Sequence, residues 1–319
     1  MAEGPKLDNL EANRNFSMET LIRLKEAVER SGKSPGCDCA VVVTGSFGRL
    51  EASQQSDFDY FYLCPTDVVV PSEAYREVVT ESVKACGVRP PAADGVFGGV
   101  QAFSEMEVIG GEGDSNSKIT RRMLFLLEGR ELKGDGIQEY RRRLTEKYIA
   151  DSITDHQLAM FFLNDVIRYY RTICTDYEYK VSSKGKKSWA DRNIKLAYSR
   201  KLLYFSGVLI AAEAAQQTAR RKREIMLELF ELTPVERLSR VGNGKEVEAL
   251  QLYDLFLKKM NDPQIRAALQ EYRRDSNDKE LDELFREIKN DSHRFSWKLL
   301  NFLKSVYNES HPIHKALVL

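Results

Sequence analysis

Residues 40–60 constrain the fold more than any other part of the chain. An apolar run, Ala40-Val41-Val42-Val43, leads into Gly45-Ser46-Phe47-Gly48-Arg49, and Ser56-Asp57-Phe58-Asp59-Tyr60 follows a few residues later. The run predicts a buried strand, the glycines a tight turn into a helix start, and 57–64 a second strand. Side chains alternate along a strand, so Asp57 and Asp59 would share one face while Phe58 and Tyr60 take the other. Two neighbouring carboxylates repel each other unless a cation sits between them. Magnesium suits such a pair, because it takes hard oxygen ligands and fills its shell with water and substrate phosphates.

This ordered set resembles the nucleotidyltransferases of the DNA polymerase β superfamily, most of all the PII-uridylyltransferase branch. The likeness covers residues 39–64: Gly45-Ser46, then an interval up to Asp57, then Asp-x-Asp, with Gly48, Arg49 and Glu51 completing the pattern. It implies an α+β protein, a nucleotidyltransferase-fold mixed sheet with flanking helices followed by an all-α helical domain. It also implies transfer of a nucleoside monophosphate from a triphosphate to a protein or RNA acceptor, with pyrophosphate released and Mg²⁺ (or Mn²⁺) required. Asp57 and Asp59 would hold the metal. Gly45 would let the backbone approach the phosphates, and the Gly45 and Ser46 amides and the Ser46 hydroxyl would bond to them. Arg49 would either contact the phosphates or brace Glu51 or Asp57.

A third carboxylate, usual in that superfamily, is not obvious here. Asp94, Glu105, Glu107 and Asp114 are the candidates. Asp114 is preferred as a catalytic group, since its glycine-rich loop precedes a helix start, and capping that helix is its alternative role. Residues 126–135 resemble the segment that joins catalytic and helical domains in the same enzymes. Arg121, Arg122 and Arg130 would face either the phosphates or solvent.

Apolar periodicity predicts a helix over 8–31, a helix opened by Pro71 and Ser72 and closed by Gly87, a further strand within 96–103, and a helix from 118 to 127 capped by Ser115 or Ser117. Gly134-Asp135-Gly136 marks the expected boundary between a catalytic domain, 1–136, and a helical domain, 137–319. In the latter, Asn164, Arg168 and Arg171 fall on one helix face, and Arg192, Lys195 and Ser199 on another. Asn164, Arg168 and Lys195 are the expected nucleotide contacts. Pairing with Asp165, Asp176, Glu178 and Asp191 would neutralise much of that charge instead. The basic loop 180–188 and the run Arg220-Arg221-Lys222-Arg223 are candidate RNA contacts or exposed faces. The Arg286 and His293 spacing is found in helical ribonuclease domains but is common by chance, and no catalysis is assigned to it.

Composition sets limits. With 319 residues, 42% hydrophobic and 30% charged, and a formal net charge of zero, the chain has room for two domains and no global field to attract nucleic acid. No DNA sequence readout is expected. The apolar runs, 205–212 among them, are short for a membrane span, and Met1-Ala2-Glu3-Gly4-Pro5-Lys6 lacks a signal-peptide pattern. A cytoplasmic, membrane-free protein is therefore expected. The five cysteines lack framework spacing, and reduced core thiols are expected, with Cys37-Asp38-Cys39 spaced too tightly for zinc. Other roles the chain could serve are a toxin or phage-defence nucleotidyltransferase acting on tRNA or making a nucleotide signal, and an inactive nucleotide-sensing module.

Overall fold

The computed structural model describes residues 6–91, 97–134, 136–184, 188–273 and 278–318. Two compact units emerge: Ala12–Asp155 with Gln217–Thr233, and Met1–Glu11 with His156–Gln216 and Pro234–Leu319. The expected boundary at 136 falls inside the first of these.

The first unit is α+β. In chain order it holds α1 (Asp8–Arg30, whose first turn counts with the other unit), β1 (Ala40–Val43), α2 (Gly45–Gly48), β2 (Tyr60–Cys64), α3 (Glu73–Ala85), β3 (Val100–Ala102), α4 (Phe103–Met106), α5 (Asn116–Glu128), β4 (Arg130–Lys133) and α6 (Ile137–Tyr148). The sheet order is β3-β2-β1-β4. β1 runs antiparallel to both β2 and β4, and β3 runs parallel to β2, so the sheet is mixed. The β-branched run of β1 suits its central place, since every one of its residues is buried.

Three local outcomes differ from the sequence reading. β2 begins at Tyr60 rather than Asp57. The preceding residues hold the backbone by single bonds: Phe58 N–H donates to the Arg89 carbonyl (2.8 Å), and Thr44 N–H donates to the Asp59 carbonyl (2.9 Å). β4 was not anticipated, because Arg-Glu-Leu-Lys carries no apolar alternation, and only Leu132 is buried. The strand expected within 96–103 shrinks to Val100–Ala102, with Val96 outside the described residues.

One face of the sheet carries the core. Val41, Val43, Tyr60, Tyr62 and Leu132 pack with Leu21, Leu24 and Val28 of α1 and with Tyr75, Val79 and Val83 of α3. A row of ring contacts runs Phe16, Phe47, Phe58, Tyr60, Tyr62, Tyr75. Burying each such ring contributes about 1.5–3 kcal/mol. This row pins the register that sets the faces of Asp57 and Asp59.

The same register corrects the expectation of reduced thiols. Ala40 faces Leu63, which places Cys39 opposite Cys64, and the two form a disulfide with Cα atoms 4.5 Å apart. That separation is the one at which directly opposed, non-hydrogen-bonded antiparallel residues sit. Cys37, Cys86 and Cys174 are free thiols.

The second unit is helical: α7 (Met160–Lys184), α8 (Trp189–Lys195), a π-helical turn (Leu196–Arg200) and α9 (Lys201–Glu213). α10 (Ala219–Phe230) returns to the α/β unit. α11 (Pro234–Gly242), α12 (Val247–Asn261), α13 (Pro263–Glu271), α14 (Lys279–Val306) and α15 (Pro312–Ala316) complete the helical unit. α9 is apolar on nearly every face and almost wholly buried. Asp262 and Asp278 cap α13 and α14 by accepting backbone N–H bonds. Tyr198 of the π-helical turn stacks on Phe256 and Phe295. The terminal α15 docks through the buried Ile313. No helix among the described residues is long and apolar enough to cross a membrane.

Candidate functional site

The turn after β1 is built around two glycines. Gly45 takes φ +65°, a left-handed conformation that favours glycine. A Cβ there would lie 2.7 Å from Asp59 Oδ2. At Gly48 a Cβ would lie 2.3 Å from the Glu128 carbonyl oxygen, so the second glycine lets α2 press against the end of α5. Between them Ser46 is half-exposed, and it alone from Cys39 to Ala52 is not buried.

The side-chain burial of the acidic segment alternates as expected. Asp57 is exposed, Phe58 buried, Asp59 half-buried and Tyr60 buried. The Asp59 carboxylate thus sits beside the Gly45 turn, with the exposed Asp57 two residues before it.

The Gly45 amide has a different role from the one expected. It donates to Glu128 Oε1 at 2.9 Å, so it is not a donor waiting for phosphate. The glycine makes room for Asp59 instead. Arg49 resolves to its bracing alternative: buried, it donates Nε–H to Glu51 Oε2 (2.8 Å) and pairs through Nη1 with Glu128 Oε2. Glu51 and Glu128 are themselves buried. Asn13 donates to the Glu51 carbonyl, and the Ala52 amide donates to Ser17 Oγ, which ties the turn to α1. The Thr44 hydroxyl is buried with no hydrogen-bond partner among the described residues. Glu128 is the residue sequence reading missed. It stands far along the chain at the end of an apolar helix, and only its meeting with Gly45 and Arg49 reveals its place.

Asp114 is committed elsewhere. Both its oxygens accept from Arg122 Nη2 (3.1 and 3.0 Å), and Oδ2 also accepts from the Gly110 amide (2.9 Å). Arg122 is wholly buried and further donates to the Met106 and Val108 carbonyls and to the Tyr148 hydroxyl. It faces neither phosphate nor solvent. This pair closes the loop before α5, whose actual cap is Ser115. Asp94 lies outside the described residues. Among the described residues no cluster of three or more His, Cys, Asp or Glu side chains is arranged to hold a metal ion. Of the acids at the turn, Glu51 and Glu128 are taken up by Arg49, while Asp57 is exposed and Asp59 half-buried. A pair of hard carboxylates of this kind has the chemistry of a Mg²⁺ or Mn²⁺ donor set.

A cleft of about 180 Å³ also opens in the α/β unit behind Gly48, lined by Gly129, Arg130, Arg141, Glu231 and Thr233. Its one deeply buried cation, Arg141, is already held by Glu231 and the Gly129 carbonyl.

In the helical unit, Arg168 is paired with Asp165 (3.3 Å) and Lys195 with Asp191 (2.9 Å), the neutralising partners foreseen from sequence. Asn164 is exposed on α7. Two lysines among the described residues have neutral hydrogen-bond partners instead. Lys201 Nζ donates to Ser296 Oγ (2.5 Å), and Lys289 Nζ donates to Asn193 Oδ1 (2.6 Å). Burial, and then the neighbouring Lys289, hold Lys201 below the ordinary lysine range, and burial does the same for Lys289. The spacing of Lys289, Ser292 and Ser296 along one face of α14 was the signal available in the sequence.

The expected RNA-contact run on α10 is spoken for. Arg220 and Arg221 pair with Glu224, Arg223 with Asp151, and Lys222 donates to the Asp155 and Gln217 carbonyls. The expected basic loop 180–188 is shorter than the sequence suggested: 180–184 continue α7, and 185–187 lie outside the described residues. Arg286 pairs with Asp282, and His293 is exposed. A comparison with family models finds no match to this chain, and a comparison with characterised proteins finds none either.

Proposed function

We propose that the α/β unit is a metal-dependent nucleotidyltransferase with the nucleotidyltransferase fold. It would transfer a nucleoside monophosphate from a triphosphate to a protein or RNA acceptor. The observation that carries this reading is the placement of the Asp59 carboxylate against a left-handed Gly45; Ser46, the following residue, is half-exposed, and Asp57, two residues before Asp59, is exposed. Asp57 and Asp59 would hold Mg²⁺ (or Mn²⁺), which when bound supplies charge neutralisation to the phosphates of an in-line displacement. The Ser46 hydroxyl contacts the phosphate chain. Arg49, Glu51 and Glu128 keep the turn in shape, because a guanidinium between two buried carboxylates fixes all three side chains. Asn164, Arg168 and Lys195 remain the proposed nucleotide contacts of the helical unit.

Incubation with each α-labelled nucleoside triphosphate, Mg²⁺ or Mn²⁺, and a lysate containing RNA tests the proposal. Label should enter protein or RNA, and the Asp57→Ala/Asp59→Ala variant should abolish it. Transfer that survives the double replacement refutes the assignment.

One observation favours a second reading, a nucleotide-sensing module. Asp114 is bound by Arg122, and no third acid joins the pair among the described residues. Saturable triphosphate binding without any transfer would support that reading over the first.

A further inference from the structure

Three sulfurs meet at the end of β1 remote from Gly45. Cys39 and Cys64 are bonded across β1 and β2, and Cys37 Sγ lies 3.1 Å from Cys39 Sγ. Their exposure is graded. Cys64 is fully buried and Cys39 nearly so, whereas Cys37 is half-exposed at the edge of the same core cluster. A reductant in solvent therefore meets Cys37 before either atom of the disulfide. Disulfides are broken by direct attack of a thiolate on one sulfur, so access and proximity set the rate. The exposed, glycine-containing turn from Ser31 to Asp38 leaves Cys37 on a short leash beside its target.

We propose that Cys37, Cys39 and Cys64 form a thiol–disulfide exchange site, in which Cys37 relays reducing equivalents from a small solvent thiol to the buried Cys39–Cys64 bond. The Cys37 thiol gives its proton to solvent, and its thiolate attacks Cys39 Sγ. A Cys37–Cys39 bond forms, the Cys39–Cys64 bond breaks, and the electron pair leaves on Cys64, which takes up a proton. A solvent thiolate then attacks Cys37, forming a mixed disulfide and releasing the Cys39 thiol. A second solvent thiol frees Cys37 and departs as the symmetrical disulfide. In sum, two solvent thiols are oxidised and one protein disulfide is reduced. The chemical class of reactant is a low-molecular-weight thiol, and the outcome is loss of the disulfide that joins Cys39, just before β1, to Cys64 at the end of β2. The site is independent of the proposed nucleotidyl transfer.

The test uses the full chain purified in air, incubated natively with reduced glutathione, quenched in acid and alkylated. Peptide mapping then follows each cysteine with time. The native protein should lose the Cys39–Cys64 link at least about ten-fold faster than its Cys37→Ser variant, the gain expected of a neighbouring nucleophile. A transient species with Cys37 linked to Cys39 and Cys64 alkylated should appear in the unsubstituted protein, a readout that needs no variant to fold. Equal rates in the two proteins, absence of that species, or absence of a Cys39–Cys64 link in the starting material each overturn the proposal.

Discussion

The Asp59 carboxylate occupies the place that a side chain at position 45 would need: a Cβ on Gly45 would come within 2.7 Å of Asp59 Oδ2 and 3.3 Å of Asp59 Cβ. Glycine at 45 is thus required twice, for its φ of +65° and for the space. Gly45→Ala should cost about 1–2 kcal/mol in backbone conformation alone, and it should also push Asp59 out of position. The expected result is a modest drop in the urea midpoint with a disproportionate loss of label transfer. A variant that transfers at the parental rate would separate the Gly45–Asp59 contact from the function proposed for it.

The Arg49 guanidinium sits between the carboxylates of Glu51 and Glu128, all of them buried. Removing one member of such a set leaves uncompensated charge, so Arg49→Met should cost about 3–5 kcal/mol. Glu128→Gln should cost less, because the amide oxygen still accepts from the Gly45 N–H. Urea midpoints of the two variants against the parent check this order. A loss in Arg49→Met no larger than that in Glu128→Gln would contradict the burial argument.

Much of this was legible beforehand, for identifiable reasons. Val41 to Val43 and the alternation from Asp57 to Tyr60 depend only on local patterning, and the burial pattern follows it. Ser72 and Ser115 act as helix caps because capping is also local. What failed depends on long-range pairing. β4 has too little apolar character to declare itself, yet it completes the sheet beside β1. Glu128 reaches Gly45 across 83 residues of chain, and Cys39 meets Cys64 only once the β1–β2 register is fixed. Nothing local sets Arg122 apart from Arg121 and Arg130, and only its four partners, Tyr148, Met106, Val108 and Asp114, show that it faces neither phosphates nor solvent.

Lys201 gives a pH test in the helical unit. Its folded-state pKa is depressed by burial and by Lys289, so the charged form carries a penalty at neutral pH. A base of this kind lets the unfolded chain bind more protons between the folded and unfolded values, and stability should rise with pH across that window. Burial moves the Tyr170 and Tyr204 phenols the other way, above their ordinary range, so stability should fall again once unfolded tyrosines ionise. Lys201→Met should raise stability at neutral pH and flatten the climb in urea midpoint from about pH 7 to about pH 10. An unchanged slope would mean the ammonium is better solvated than its burial beside Ser296 and Lys289 implies.

Asp114 and Arg122 separate a structural role from a catalytic one. Arg122 is wholly buried and Asp114 is its carboxylate, while the remaining guanidinium N–H groups are met by carbonyls and the Tyr148 hydroxyl. Asp114→Ala strands that charge and should cost about 3–5 kcal/mol. Asp114→Asn keeps an acceptor for Arg122 and for the Gly110 amide but removes the negative charge, and should cost less. If Asp114 works only by closing the loop, transfer per folded molecule at low temperature should be near the parental value in Asp114→Asn. A catalytic carboxylate behaves in the opposite way: the isosteric amide would fold well and transfer poorly, and the dependence on Mg²⁺ concentration would shift. Measuring urea midpoints alongside transfer rates for the two variants distinguishes these outcomes, because stability and chemistry then move apart rather than together.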